Sequence, residues 1–516
     1  MSSPAPTLLA TGRPPIAILG VPLDNLNIAG AIDLIERMIA SRQPHYVVTA
    51  NVDFLVQART DVELRRILCD APLVLCDGTP LLWVSRLLGN PLPERVAGAD
   101  LVPKLIDLSA KKGYRLFFLG AAPQSAARAV ARLRAHYPEL IIAGHYSPAF
   151  KPLLQMDQDE IKRHVLEAKP DLLFVSFGCP KQEKWVAMHF RSLRVPVVIG
   201  VGATIDFLAG QVKRAPLWMQ RIGAEWLFRL AQEPRRLFRR YFKDLWVFGL
   251  GVLAQWWRFR VQSSKFRVQS SKFRVQSSPC HHTSCVLLNL SGWLDAAAAQ
   301  HGDSLIQQVL HEDQHCLLDT SGVQSIDSTG VGLLIRLQKQ CRAAGRQLIL
   351  LRPSPSVRRS LTLMRLNDFF LSAPDIAAAE QVIADRAQEP FDPIQPRPSG
   401  IPTVDPAVAL AWRGEIVASN VELIWQQTVR SLEQFQDSLG PCNSRRDQAP
   451  TQTQPPHLGC YIDLSEVRFI DSSGLGLMVR AKKLARQRGL SLVFSSPCPS
   501  VRNVLQIAKL ESYLLT

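Results

Sequence analysis

Two stretches of the C-terminal half, Asp327-Ser328-Thr329-Gly330-Val331-Gly332 and Asp471-Ser472-Ser473-Gly474-Leu475-Gly476, follow one pattern. Each comes after a short apolar run, Cys316-Leu317-Leu318-Asp319 or Tyr461-Ile462-Asp463-Leu464, and each opens an amphipathic stretch. A strand that ends in Asp-Ser and turns directly into a helix supplies its own cap, because either side chain can accept from the first-turn N–H groups. The likeness extends outward. The segments from Val286 and Val408 both read as a strand, a glycine turn and a helix, and Gln347–Leu351 and Ser491–Phe494 as later strands. Pro355-Ser356-Val357-Arg358 and Pro499-Ser500-Val501-Arg502 both open a further helix. Two copies of one small module therefore fill the C-terminal half. The dissimilar first 250 residues must carry any chemistry.

At 516 residues the chain is too long for a single core and implies about three units. Its formal charge of +16 is unevenly placed: residues 211–278 hold fifteen Lys/Arg against three acids. A basic block of that kind points to a polyanionic partner, a nucleic acid or an anionic membrane surface. The ten cysteines have no framework spacing, and the Pro-rich N-terminus has no apolar core of signal-peptide length. Both favour reduced thiols in the cytoplasm. No apolar run reaches the roughly 18 residues of a spanning helix.

From Pro15 the chain alternates apolar runs with amphipathic segments. Ala17–Gly20, Tyr46–Thr49, Leu73–Cys76, Leu116–Leu119, Leu172–Val175 and Val197–Gly200 are apolar throughout, as parallel strands covered on both faces are. The expected fold is α/β: a Rossmann-like, mostly parallel sheet domain with a helical basic appendage, then two small α/β domains. The expected boundaries are a disordered N-terminus over 1–14, the sheet domain over 15–250 with its appendage from about 216, and a linker over 251–283. The first module then spans 284–389, a Pro-rich linker 390–406 and the second module 407–516. The 251–283 linker contains a seven-residue cycle, Phe259-Arg260-Val261-Gln262-Ser263-Ser264-Lys265 and its repeats, polar for a coiled coil; it reads as low-complexity linker, with a basic surface-binding segment or an oligomerisation helix as the alternatives.

Open parallel sheets bind ligands beyond the carboxyl ends of their strands. The residues there are Thr49-Ala50-Asn51-Val52-Asp53, Asp77-Gly78-Thr79-Pro80, Gly120-Ala121-Ala122-Pro123, Phe177-Gly178-Cys179-Pro180-Lys181-Gln182-Glu183 and Gly200-Val201-Gly202-Ala203-Thr204-Ile205-Asp206. Asp77 and Asp206 converge there with amides, hydroxyls and glycine turns able to offer N–H groups to phosphate. Asp157-Gln158-Asp159 has the look of a metal-binding Asp-x-Asp but reads as a solvated helix start. Cys280-His281-His282-Thr283-Ser284-Cys285 is too compact for tetrahedral zinc, so no metal is expected.

These rims, with Glu94-Arg95-Val96-Ala97-Gly98-Ala99-Asp100-Leu101, Lys213-Arg214-Ala215-Pro216, Glu225–Leu230 and Glu233-Pro234-Arg235-Arg236, resemble the WecG/TagA/CpsF family, glycosyltransferase family 26, over about residues 15–250. The resemblance implies an inverting transfer of an N-acetylmannosamine-type sugar from a UDP donor to a polyprenyl-diphosphate-linked sugar, in cell-envelope or exopolysaccharide synthesis and without a cofactor. It implies Asp77 as general base, Thr49, Asn51 and Arg95 near the donor sugar and diphosphate, and Gln182 and Asp206 as nucleotide-sugar contacts. It also implies that the appendage docks on the inner face of the cell membrane. The cations Arg229, Arg236, Arg239 and Arg240, set among aromatics, fit an in-plane helix on anionic lipid better than a nucleic-acid surface.

The repeated modules resemble the STAS, or anti-sigma-factor antagonist, domain. The resemblance implies phosphorylation of Ser328 and Ser472 and a serine kinase or anti-sigma-like partner. A phosphate at a helix N-terminus gains from the dipole and can disrupt a docked partner. The alternative is a signalling scaffold whose first domain is inactive or only holds a nucleotide sugar.

Overall fold

The computed structural model describes residues 14–212, 214–221, 224–232, 234–266, 274–279, 285–299, 314–387, 394–396, 409–418, 420–438, 459–488 and 490–515. The expected disordered N-terminus thus lies, but for residue 14, outside the described residues, as do 280–284 of the Cys-His cluster.

The N-terminal domain contains strands β1 (Ile16–Ile18), β2 (Val21–Leu23), β3 (His45–Ala50), β4 (Leu73–Cys76), β5 (Leu116–Gly120), β6 (Ile142–Tyr146), β7 (Leu172–Ser176) and β8 (Val197–Gly200). Helices α1 (Ile28–Ser41), α2 (Val52–Ala58), α3 (Val62–Asp70), α4 (Thr79–Leu87), α5 (Gly98–Lys112) and α6 (Pro123–His136) alternate with them. Helices α7 (Gln158–Ala168), α8 (Lys181–Leu193) and α9 (Thr204–Leu208) continue the alternation. The appendage is α10 (Leu217–Arg221), α11 (Glu225–Gln232) and the long α12 (Pro234–Phe266).

Six strands form one parallel sheet in the order β4-β3-β8-β7-β5-β6. Successive residues feed opposite cores, as the strand period requires. Tyr46, Val48 and Val198 enter one core with the fully buried Trp185, while Val47, Val197 and Ile199 enter the other with Phe118 and Phe174. This confirms the expected α/β class and the uninterrupted apolar runs that signalled it.

Three details depart from the sequence reading. The run around Ala17 is not a sheet strand: β1 and β2 form a small antiparallel pair. The sheet instead gains β6 at its edge, whose part-exposed pattern hid it. And α12 runs through the first copy of the seven-residue cycle where a linker was expected, because Phe248, Val252, Gln255 and Phe259 recur at helical spacing on its buried side.

The first repeated module holds β9 (Arg274–Pro279), β10 (Cys285–Leu294), α13 (Ala296–Ala299), β11 (His315–Ile326), α14 (Ser328–Ala343), β12 (Leu348–Leu351), α15 (Pro355–Leu363), β13 (Leu371–Ala373) and α16 (Ile376–Ala387). Its sheet order is β13-β12-β11-β10-β9, parallel except for β9, which falls inside the expected linker. The second module holds β14 (Ile394–Pro396), β15 (Ala409–Ile416), α17 (Val421–Ser438), β16 (Gly459–Ile470), α18 (Ser472–Gln487), β17 (Ser491–Ser495), α19 (Pro499–Ile507) and α20 (Glu511–Leu514). Its sheet order is β14-β15-β16-β17. The edge strand β14 again draws residues from an expected linker, that over 390–406. The glycines read as turns, Gly292 and Gly414, instead lie inside β10 and β15 with φ of 90° and 72°, at register shifts against the neighbouring strand.

The Asp-Ser turns fold as the repeat required. Asp327 Oδ1 accepts from the N–H groups of Thr329 and Gly330 at 2.7 and 2.9 Å, and Asp471 Oδ1 from those of Ser473 and Gly474 at 2.8 and 3.0 Å. The motif glycine follows from packing: a Cβ on Gly330 would lie 2.1 Å from Leu294 O. Gly330→Ala is therefore expected to cost about 1–3 kcal/mol of overpacking. Calorimetry should show this as a lower melting temperature for the first module.

Candidate active site

The C-terminal ends of β3, β4, β7 and β8 open into a cavity of about 980 Å³. Thr49, Asn51, Asp77, Arg95, Gln182 and Asp206 all line it, so the six residues singled out in the N-terminal half meet in one place. The turn after β5 is absent from the described lining. Gly120 serves packing instead, with φ of 96° and room for a Cβ blocked by Ser176 O at 2.4 Å.

Each polar side chain is held by the strand end that presents it. Asn51 caps α2, its Oδ1 accepting from Asp53 N at 3.0 Å and Phe54 N at 3.4 Å. The Thr49 hydroxyl donates to Gly200 O at 3.4 Å, bridging β3 and β8. Asp77 is fixed through its own N–H, which donates to Ala50 O at 2.8 Å. Gln182 is a buried staple: its Oε1 accepts from Gly178 N at 3.3 Å and Gly202 N at 3.2 Å, joining the turns after β7 and β8. Its Nε2 donates to Glu183 Oε1 at 2.6 Å. Burial pushes the Glu183 carboxyl up to about 7.

Beside Asp77 sits a charge network. Arg95 donates to Glu225 Oε2 at 2.8 Å and to Asp100 Oδ2 at 2.7 Å. Arg214 reaches Asp100 Oδ1 at 2.6 Å and Glu225 Oε1 at 3.4 Å, and Arg229 lies 3.8 Å from Glu225. Burial alone would raise the Glu225 carboxyl, but the Arg95 hydrogen bond and the charges of Arg214, Arg95 and Arg229 hold it below its ordinary value. Asp77 goes the other way. Burial lifts it to about 6, against the pull of Arg95 and Arg229. Arg95 and Arg229 of this network line the cavity beside Asp77, and guanidiniums so placed suit a diphosphate.

The cations assigned to a lipid-facing side divide. Arg229 and Arg240 line the cavity instead. Arg229 also stacks over Phe207 at 5.2 Å, and Arg240 pairs with Asp53 at 2.5 Å, which ties α12 to α2. Arg239 is exposed, and the Arg236 side chain lies outside the described residues. Asp53, Asp100, Arg214 and Glu225 were not singled out as site residues. Glu225 and Arg95 are 130 positions apart, and no local pattern pairs them. The one available signal was an acid inside an otherwise basic segment.

Helix α12 carries two apolar faces. Leu237, Phe248, Val252 and Phe259 are buried, whereas Phe238, Phe242, Leu245, Trp246, Leu250, Leu253 and Trp257 are exposed at helical spacing. Phe238, Phe242 and Leu245 also line the cavity, so its mouth opens onto that stripe. No helix among the described residues is long and apolar enough to cross a membrane. Asp157 caps α7 by accepting from Glu160 N at 3.0 Å, as a helix start does.

The glycosyl transferase WecG/TagA/CpsF family model matches residues 16–262, and the STAS domain model matches 279–380 and 400–516. A Bacillus spizizenii protein named N-acetylglucosaminyldiphosphoundecaprenol N-acetyl-beta-D-mannosaminyltransferase is 34% identical over 191 residues, 37% of this chain and 72% of that protein. The chain belongs to the WecG/TagA/CpsF glycosyltransferase family. A Bacillus subtilis protein of the same name is 32% identical over 220 residues, 42% of this chain and 84% of that one. The solved anti-sigma factor antagonist SpoIIAA in its unphosphorylated form is similar at 23% identity, with a TM-score of 0.19, over 22% of this chain and 96% of that one.

In this glycosyltransferase the raised Asp77 carboxyl carries a measurable cost. Its folded value of about 6 lies above the ordinary 3.8, so ionisation opposes folding increasingly as pH rises between the two. Asp77→Asn is expected to melt higher than wild type above pH 6 and to lose that advantage below about pH 4. Thermal melts across that range check it.

Proposed function

We propose that this enzyme transfers an N-acetylmannosamine-type sugar from UDP to a polyprenyl-diphosphate-linked N-acetylglucosamine, with inversion. The observation that carries the reading is one cavity with Asp77 and three arginines at its polar end and an exposed aromatic stripe at its mouth. The acceptor's lipid would lie along the stripe, and the donor diphosphate beside Arg95 and its network.

Asp77, deprotonated above about pH 6, accepts the proton of the acceptor hydroxyl as that oxygen attacks the anomeric carbon. The bond from that carbon to the UDP oxygen breaks, and its electron pair leaves with UDP. Charge growing on the departing phosphate is met by guanidiniums already in place, which cost no reorganisation at that moment. One carboxylate suffices in this reading, because a diphosphate leaving group needs charge stabilisation more than protonation, and the guanidiniums supply that charge without a metal. Thr49, Asn51 and Asp206 hold the donor, and Gln182 holds the two glycine turns that face it.

The membrane assignment extends the same reading: α12 lies in the plane of the cytoplasmic leaflet with Phe242, Leu245, Trp246 and Leu250 in the interface. The STAS domains supply regulation by phosphorylation at Ser328 or Ser472, or by docking a serine kinase or an anti-sigma-like protein.

Turnover tests the chemistry. UDP release from UDP-N-acetylmannosamine with a polyprenyl-diphosphate N-acetylglucosamine analogue should depend on acceptor, survive EDTA and rise with pH through about 6. Asp77→Asn should lower it by about 10²–10⁴-fold, the usual worth of a general base. Donor binding without turnover, in wild type as in the variant, would instead favour a nucleotide-sugar-binding scaffold. For the membrane, co-sedimentation with anionic vesicles should fall at least tenfold in a Phe242→Glu, Leu250→Glu double variant whose melting temperature is unchanged.

A further inference from the structure

The first STAS domain does not present its Asp-Ser turn to solvent. Ser328 is wholly buried, and its hydroxyl accepts from Gln255 Nε2 of α12 at 2.9 Å. The same nitrogen donates to Ala17 O at 2.9 Å, and Gln255 Oε1 accepts from Leu19 N at 2.9 Å. One side chain, 1% exposed, therefore joins the long helix, the β1-β2 pair and the STAS turn. Phe259, one helical turn further along α12, is buried in the same apolar cluster as Leu294, Ile326 and Val331 of the STAS domain.

The rest of the face is complementary in the same sense. Arg342 on α14 pairs with Asp70 at 2.7 Å, and Lys339 donates to Ala71 O at 2.7 Å. Gly332, the last glycine of the Asp-Ser motif, sits so close that a Cβ would lie 2.3 Å from Pro15 O. A side chain at that position would collide with the transferase domain.

We propose that the first STAS domain is a clamp on α12 that holds the wall of the active site. The residues clamped and the residues lining the cavity lie on one uninterrupted helix of 33 residues. Gln255 and Arg240 are separated by about 22 Å along it, at about 1.5 Å per residue. At the far end α12 contributes Leu237, Tyr241, Asp244 and the Arg240–Asp53 pair to the cavity. Release at Gln255 removes one anchor of that wall, beside the Arg240–Asp53 pair and the buried Phe248 and Val252. A charged group on Ser328 is incompatible with the dock, since Gln255 offers one N–H to it and the surroundings exclude water.

Hydrogen exchange on the full chain tests this, with wild type, Gln255→Ala and Ser328→Glu compared by mass spectrometry. Exchange at 237–248 should quicken at least tenfold in both variants, together with 15–23, while β11 and β12 keep their wild-type rates. Opening of 15–23 with 237–248 unchanged overturns the clamp, as does no change at 15–23 in either variant. If β11 and β12 also quicken in Ser328→Glu, Gln255→Ala decides alone, because it alters no residue of the STAS domain. The cavity wall is the readout, so the result stands whatever sugar the enzyme takes.

Discussion

Glu225 is the residue on which the cavity depends. It comes from α11, outside the sheet, yet its carboxylate accepts from Arg95 and lies against Arg214 and Arg229. A carboxylate withdrawn from water is costly unless charges and hydrogen bonds replace the solvent, and here guanidiniums do so. The arrangement fixes the appendage to the sheet domain and keeps Arg95 aimed beside Asp77. Charge segregation then follows: the guanidiniums hold the Glu225 carboxyl below its ordinary value, while burial raises Asp77 to about 6.

Much of this could be read before any coordinates, because it rests on local rules. Doubly apolar strands, glycine turns and Asp-Ser caps are properties of a few adjacent residues, and Thr49, Asp77, Gln182 and Asp206 sit at strand ends where a parallel sheet puts its ligands. What stayed hidden depends on partners distant in sequence. Ala17 reads as a sheet strand by composition, yet pairs only with Pro22 in a two-stranded unit and packs into the STAS cluster. Arg240 reads as a lipid-facing cation until Asp53 is seen opposite it. The seven-residue cycle was misread for a related reason. Its two serines per repeat suggest a linker, but one buried Phe259 at the right helical phase is enough to keep the first copy in α12.

Helix α12 resolves an apparent contradiction in the composition of its segment. Basic and aromatic residues together suggested a single outward-facing surface. The helix instead sorts them by phase: one face closes the core with Phe248 and Val252, one exposes Phe242, Leu245 and Trp246, and Arg240 and Asp244 fall between, toward the cavity. A helix apolar on two sides is neither a spanning segment nor a simple surface helix. Its length lets a single element serve core packing, lining of the cavity and attachment of the following domain.

The burial of Ser328 against Gln255 has a consequence for competition. Because the STAS domain and the surface it covers belong to one covalent chain, their association is intramolecular, with an effective concentration on the order of millimolar for a short connection. A separate protein seeking the same face would meet it already occupied, and would have to outbind a neighbour that never diffuses away. Recognition at that turn is thereby biased toward strong or locally concentrated competitors. Weak encounters are filtered out by tethering alone.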